Sequence, residues 1–355
     1  MLTQKPRIPI RPLLLHGWWP GFLKIFWYRL KGYRIGKGVS IGLGSVICGE
    51  QVDIGDHTSV GFLTVIRGKK IVIGPHVQIG STTFLDTPHM EIGEGTKINE
   101  QVFVGGLQGP DSKFIVGRNC LIMQMSFINP ARSIVIGDDS GIGGHCLIFG
   151  HSSFLNQFEG YPADFAPIEI GNSVGLAWRV FVLPGTKIGD GSMVGAGSVV
   201  SGTIPPCSLA VGYPARIVGK PPVFPKAVSD DEKVEMFRKI TAEMIEFLVG
   251  FGFDARGDGR CYEIQRKKGR KWGLEVVDSD PREAVKTLGA PDVFLSLLEI
   301  PTDLRDALTA RNIVWIDVTR KEQPRISNDL GDEVLDFLKR YGVRTLRYPP
   351  AKPSN

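Results

Sequence analysis

The chain has 355 residues, 42% of them apolar and 22% charged, with a net charge of +5. That balance fits a soluble globular protein with room for two domains and excludes a disordered chain. The positive charge is too mild, and too spread along the chain, for a nucleic-acid protein. No stretch reaches the ~18 uninterrupted apolar residues of a membrane span, and the N-terminus lacks the apolar core and cleavage site of a secretory signal. The five cysteines form no CxxC pair, so reduced thiols in the cytoplasm are expected.

Residues 13–33, LLLHGWWPGFLKIFWYRLKGY, are aromatic and basic. From Pro20, the residues Phe22, Ile25, Phe26 and Leu30 fall at helical spacing, with Lys24 and Lys31 on other faces and Gly32 as a stop. Two readings of residues 13–33, within an N-terminal cap at 1–33, stand open. One is a helix that covers the exposed end of the following domain. The other is an amphipathic helix in peripheral contact with an anionic membrane surface, with Trp18, Trp19 and Trp27 at the interface.

From Ile35 a different period sets in. Aliphatic residues recur every six positions in eight triplets, from Ile35, Ile41 and Ile47 to Ile188, Val194 and Val200. A helix would space them three or four apart and an ordinary strand two apart. A period of six fits a coil of short straight runs with one side chain pointing inward in each, the hexapeptide β-helix repeat. The first aliphatic of every triplet is followed by glycine, from Gly36 and Gly55 to Gly171 and Gly189. That glycine is expected to serve a tight corner, where small size or unusual backbone angles are needed. Three runs per coil make a triangular prism, and eight coils ~4.8 Å apart span on the order of 38 Å. The expected domain covers 34–220, with the repeat ending near Val200. Two insertions break the rhythm, at 105–113 and 149–167, and should project as loops on a working face.

Residues 226–355 have another texture. Ser229 to Glu232 forms a capping box before a helical stripe of Val234, Phe237, Ile240, Met244 and Leu248. Strands are expected at 261–268, 272–278, 293–300 and 312–318, and helices at 302–311 and 328–341, giving a small α+β domain without a catalytic motif. The fold class is thus mainly β, a parallel β-helix with an N-terminal helix and a C-terminal α+β domain.

The segment LPGTKIGDGSMVGAGSVV (183–200), followed by IPP (204–206) and GYPARIVG (212–219), resembles the hexapeptide-repeat acyltransferases. The similar branch holds maltose, galactoside and xenobiotic acetyltransferases and the O-acetyltransferases of surface polysaccharides. The resemblance implies a left-handed coil, which periodicity alone would not give. It also implies a homotrimer with acetyl-CoA in the cleft between two prisms, and a histidine base at the start of the long loop. That position is His151, with His145 as the alternative. A neutral imidazole can take the proton of an attacking hydroxyl and return it to the departing thiolate.

For the cofactor, the resemblance points to backbone groups around Ala177, Trp178, Gly195 and Ala196, and to Arg216 near the nucleotide phosphates, with Arg179 a second cation. No metal is implied. The family's VWIGG reads VGLAW here (174–178), and its polar asparagine is replaced by Met123, with Gln124 beside it. The partner of His151 must then come from elsewhere, with Asn129, Glu159 and Asp164 as candidates. The implied function is acetylation of a sugar hydroxyl on a surface polysaccharide or its precursor, in the cytoplasm or at the inner face of the plasma membrane. Acetylation of an amino-sugar, a non-catalytic scaffold and a zinc carbonic anhydrase remain the competing classes.

Overall fold

The computed structural model describes residues 8–266, 269–286, 289 and 291–349. The chain divides into two compact units, Met1–Ala227 and Val228–Asn355.

The first unit is a left-handed parallel β-helix whose three walls are sheets of nine, ten and eight strands. Each turn visits the walls in order, for instance Gln51–Ile54, Ser59–Val60 and Val65–Arg67. Like residues stack on like: Ile54 pairs with Ile73, Ile73 with Ile92, and Ile92 with Val116. The inward aliphatics of all eight triplets are buried in one continuous core. Because each layer is covered only by its neighbours, the stack is one cooperative body.

The repeat does not stop at Val200. Ile204 and Ala210 begin a ninth coil and are buried, and the strand Leu209–Gly212 then turns back antiparallel onto Ala215–Gly219. The sequence conceals this coil because Pro205, not glycine, follows Ile204.

Of the two expected reasons for the repeated glycine, small size is the one the structure supports. A Cβ on Gly137 would stand 2.7 Å from the backbone carbon of Gly171 and 2.8 Å from the nitrogen of Asn172, in the next coil. At Gly36 the corresponding distance to Asp56 N is 2.6 Å. Close approach of successive coils therefore demands glycine there. The left-handed backbone angles lie two residues later, at Gly38, His57, His76, Gly95, Asn119, Asp139, Ser173 and Gly191. The next corner repeats the pattern with Gly44, Leu63, Thr82, Gln101, Met125, His145, Arg179 and Gly197. A side chain in that conformation costs about 1 kcal/mol. Part of the compensation is a ladder of side-chain bonds. Thr58 Oγ1 donates to Gly74 O (2.8 Å), Thr96 Oγ1 to Gly117 O (2.7 Å) and Ser140 Oγ to Gly171 O (2.8 Å).

The N-terminal segment covers the first coil, but not with its apolar stripe. A one-turn π-helix at Leu13–Gly17 precedes the helix Gly21–Leu30. The buried face of that helix is Lys24 and Tyr28, while Phe22, Phe26 and Leu30 face outward. The reason is the chemistry of an open β edge, which presents unpaired backbone groups. Lys24 Nζ donates to Gly42 O (2.7 Å) and Ser45 O (3.0 Å). Tyr28 Oη accepts from Ile47 N (3.0 Å), and Arg29 Nη2 donates to Ile35 O (2.8 Å). Polar side chains are what such an edge can use.

The second unit is a seven-stranded mixed sheet with helices, including Asp230–Gly250, Thr302–Ala310 and Asp329–Leu338. Ser229 and Glu232 form the expected capping box. Lys267 and Lys268 of the expected strand 261–268 lie outside the described residues. The strands Phe253–Gly257, Glu322–Pro324 and Leu346–Tyr348 were not expected from the pattern. Cys261 is exposed and donates from Sγ to Glu275 Oε2 (3.0 Å), and that carboxylate pushes the thiol up to about 11.

Gly137→Ala should destabilise the first unit by about 1–3 kcal/mol through overpacking against the next coil. Gly109→Ala, at a glycine with nothing within 4 Å of the added carbon, should be near neutral in the same urea titration.

Candidate functional site

His151 opens the long insertion. The strand His151–Ser153 pairs antiparallel with Ala163–Phe165, so the insertion is a hairpin flap rising from the end of the third wall. Within that pair His151 stands opposite Phe165, and alternation places the two side chains on one face. The imidazole stacks with two aromatic rings. Its centroid is 6.0 Å from that of Phe149, two residues earlier, and 5.9 Å from that of Phe165 across the hairpin. Burial lowers the imidazole below its usual 6.5, so the ring is neutral at pH 7. Nδ1 is buried and has no hydrogen-bond partner.

None of the three residues weighed as its orienting partner bonds to it. Glu159 accepts from Asn156 Nδ2 (2.9 Å) within the flap's own turn. Asp164 is exposed and stands opposite Ser152, on the other face of the hairpin. Asn129 comes nearest in position, since its carbonyl accepts from Gly150 N (2.9 Å). Its side chain is buried with Oδ1 unpartnered. Two orphaned polar atoms from successive coils thus occur at one corner.

His145 sits elsewhere. It is an exposed corner residue with left-handed φ, before the third-wall strand, and tilts against Trp178 at 6.0 Å. The Trp178 ring lies across Gly144, where a Cβ would come within 2.6 Å of it. Beside it on the same corner are Arg179 and Ala196, both exposed. Ala177 N and Gly195 N are committed to the ladder, donating to Val194 O and Ala210 O at 2.9 Å each. The backbone amides of Trp178 and Ala196 make no such bond. Arg216 projects from the reversed strand and touches only Ala215 O, at 3.5 Å. His151 and this corner lie at opposite edges of the third wall. Five extended residues separate positions 145 and 150, on the order of 17 Å.

A feature unread in the sequence runs along the third wall from coil to coil. Phe84, Phe103, Phe127, Phe149 and Phe181 form a half-buried aromatic column on the outside of the third wall, with neighbouring centroids 4.9–5.4 Å apart. Its signal was present, since four of the five directly precede a third-wall aliphatic. Among the described residues, no group of three His, Cys, Asp or Glu side chains could hold a metal ion, and no helix is long and apolar enough to cross a membrane.

No family model matches the chain. A protein of Staphylococcus aureus (strain Mu50 / ATCC 700699) that carries a provisional acetyltransferase name is 50% identical over 68 residues, 19% of this chain and 34% of its own length. The galactoside O-acetyltransferase of Escherichia coli (strain K12) is 38% identical over 77 residues, 22% of this chain and 34% of its own. The chain is related to the hexapeptide-repeat acetyltransferases. It spans about a third of the length of these curated relatives. A crystal structure of a hexapeptide-repeat acetyltransferase from Vibrio cholerae is 25% identical, covering 40% of this chain and 72% of that one, with a TM-score of 0.27. Against the pattern of hexapeptide-repeat acetyltransferases, the displaced Trp178 now has a definite location, as a lid on the preceding corner.

In a histidine-resolved NMR titration, His151 should titrate below 6.5, and Phe165→Ser should move it back toward that value. The sign for stability follows. Between the unfolded and folded values the unfolded chain holds more protons, so this residue's contribution starts to be lost near pH 6.5 and is gone below the folded value.

Proposed function

We propose that the chain is an acetyl-CoA-dependent O-acetyltransferase acting on a sugar hydroxyl of a surface polysaccharide or its precursor. The observation that carries this reading is the neutral His151 imidazole, stacked with Phe149 and Phe165 and with Nδ1 free of protein partners. His151 removes the acceptor's hydroxyl proton as the oxygen attacks the thioester carbonyl. The tetrahedral intermediate then collapses, the carbon–sulfur bond breaks, and the imidazolium returns its proton to the thiolate.

The residues present fit the cosubstrate. The amides of Trp178 and Ala196 can bond the pantetheine chain, and Arg216, with no carboxylate attached, can hold phosphate. Acetyl-CoA supplies the activated acyl group. Because His151 and this corner are set at opposite edges of one wall, the reaction needs a second copy to bring one copy's corner to the other's histidine. A head-to-tail contact of one copy's corner with the next copy's histidine closes into a ring, and three copies give the homotrimer of this reading. The flap supports this, since Phe154 and Phe158 are 81% and 101% exposed in the single chain. The free cysteines and the acetyl-CoA requirement fit the cytoplasm.

The test is release of free CoA from acetyl-CoA with glycan and amino-sugar acceptors. His151→Ala should lower kcat about 10²–10⁴-fold, and equal CoA release by that variant with every acceptor would end the proposal. Arg216→Ala should raise KM for acetyl-CoA about tenfold with kcat little changed. Mixed oligomers of the two variants, refolded together and assayed at acetyl-CoA well below KM, should exceed the mean activity of the two variants kept separate.

A further inference from the structure

The positive charge of the chain is not evenly spread after all. The first 49 residues contain eight Lys and Arg and no Asp or Glu, the first acidic residue being Glu50. The rest of the chain carries 34 basic and 37 acidic residues, a net −3. The basic segment is also the one that exposes its apolar side chains. Phe22, Phe26 and Leu30 recur four apart on one stripe of the helix Gly21–Leu30 and are 70%, 63% and 65% exposed. Leu14, Leu15 and Trp18 extend the exposed surface into the preceding segment. An edge contact between Trp19 and Trp27, centroids 6.3 Å apart, ties the two together.

An amphipathic helix ordinarily buries its apolar stripe against the protein. Here the bonds of Lys24, Tyr28 and Arg29 to the first coil fix the opposite orientation, so the stripe is presented outward by construction. Arg11, Lys31 and Lys37 are exposed on the same segment.

We propose that the N-terminal cap is a docking surface for an anionic lipid bilayer. The stripe enters the headgroup–acyl boundary, the tryptophans sit at the interface, and the cations face acidic headgroups. A second copy suits this surface poorly, because self-pairing would bring two segments of eight positive charges together without one acidic residue. The proposal does not depend on the acetyl-transfer reading. It would place that chemistry beside lipid-linked acceptors.

The test is co-sedimentation of the full chain with vesicles of phosphatidylcholine alone or mixed with phosphatidylglycerol. The chain should bind the mixed vesicles, bind phosphatidylcholine weakly, and be released as salt approaches ~1 M. The triple variant Phe22→Ser, Phe26→Ser, Leu30→Ser should lose at least about tenfold of the partitioning, and Lys31→Glu with Lys37→Glu should lose the preference for the anionic lipid. All five side chains are exposed, so circular dichroism and melting should be unchanged, which keeps a lost fold distinct from a lost surface. Three outcomes would overturn the proposal: no binding of the unmodified chain to mixed vesicles, undiminished binding by the triple variant, or a change in its sedimentation coefficient without lipid, which would mean a second copy covers the stripe.

Discussion

Parallel strands stacked ~4.8 Å apart leave no space for a side chain at the corner after each first-wall aliphatic. Every coil of the first unit is built around that close approach. It sets glycine at positions such as Gly137 and Gly171. It brings the Thr58, Thr96 and Ser140 hydroxyls within reach of the next coil's carbonyls. It also holds residues as unlike as Leu63, His145 and Arg179 in the left-handed region, because leaving it would break the ladder on both sides. The local cost is borne at each corner and offset along the whole stack, which is why no single coil could stand alone.

The same constraint positions the chemistry. His145 and Arg179 occupy corners that the ladder has already fixed. His151 escapes it, because the chain has left the third wall and entered a hairpin of its own. Burial beside Phe149 and Phe165 keeps the His151 ring neutral without a carboxylate. The corner amides of Trp178 and Ala196 are the complement, left over where the strand bonds lapse. Trp178 closes the groove of the preceding corner by lying on Gly144.

Much of this was legible in the residues. The period of six locates all eight buried triplets because a buried layer admits only aliphatics. The glycine period was read as architecture with two causes left open, small size or positive φ, and the structure selects the first. The ninth coil was lost because Pro205 and Ala210 replace the usual glycine and branched aliphatic. The N-terminal helix was recognised, yet its orientation was not. Spacing identifies a stripe but cannot say whether an open β edge will prefer the lysine. Likewise the partner of His151 was sought among polar residues, whereas its surroundings include aromatic rings brought from a third-wall strand and the flap.

The two insertions, at 105–113 and 149–167, leave the prism at the same corner, between the third wall and the first. Unlike the other two corners, this one does not impose a left-handed residue on every coil. Its length is therefore free to drift while the remaining geometry stays frozen. Variation is channelled onto a single seam, so a new flap could be grafted next to the histidine without renegotiating the rest of the stack.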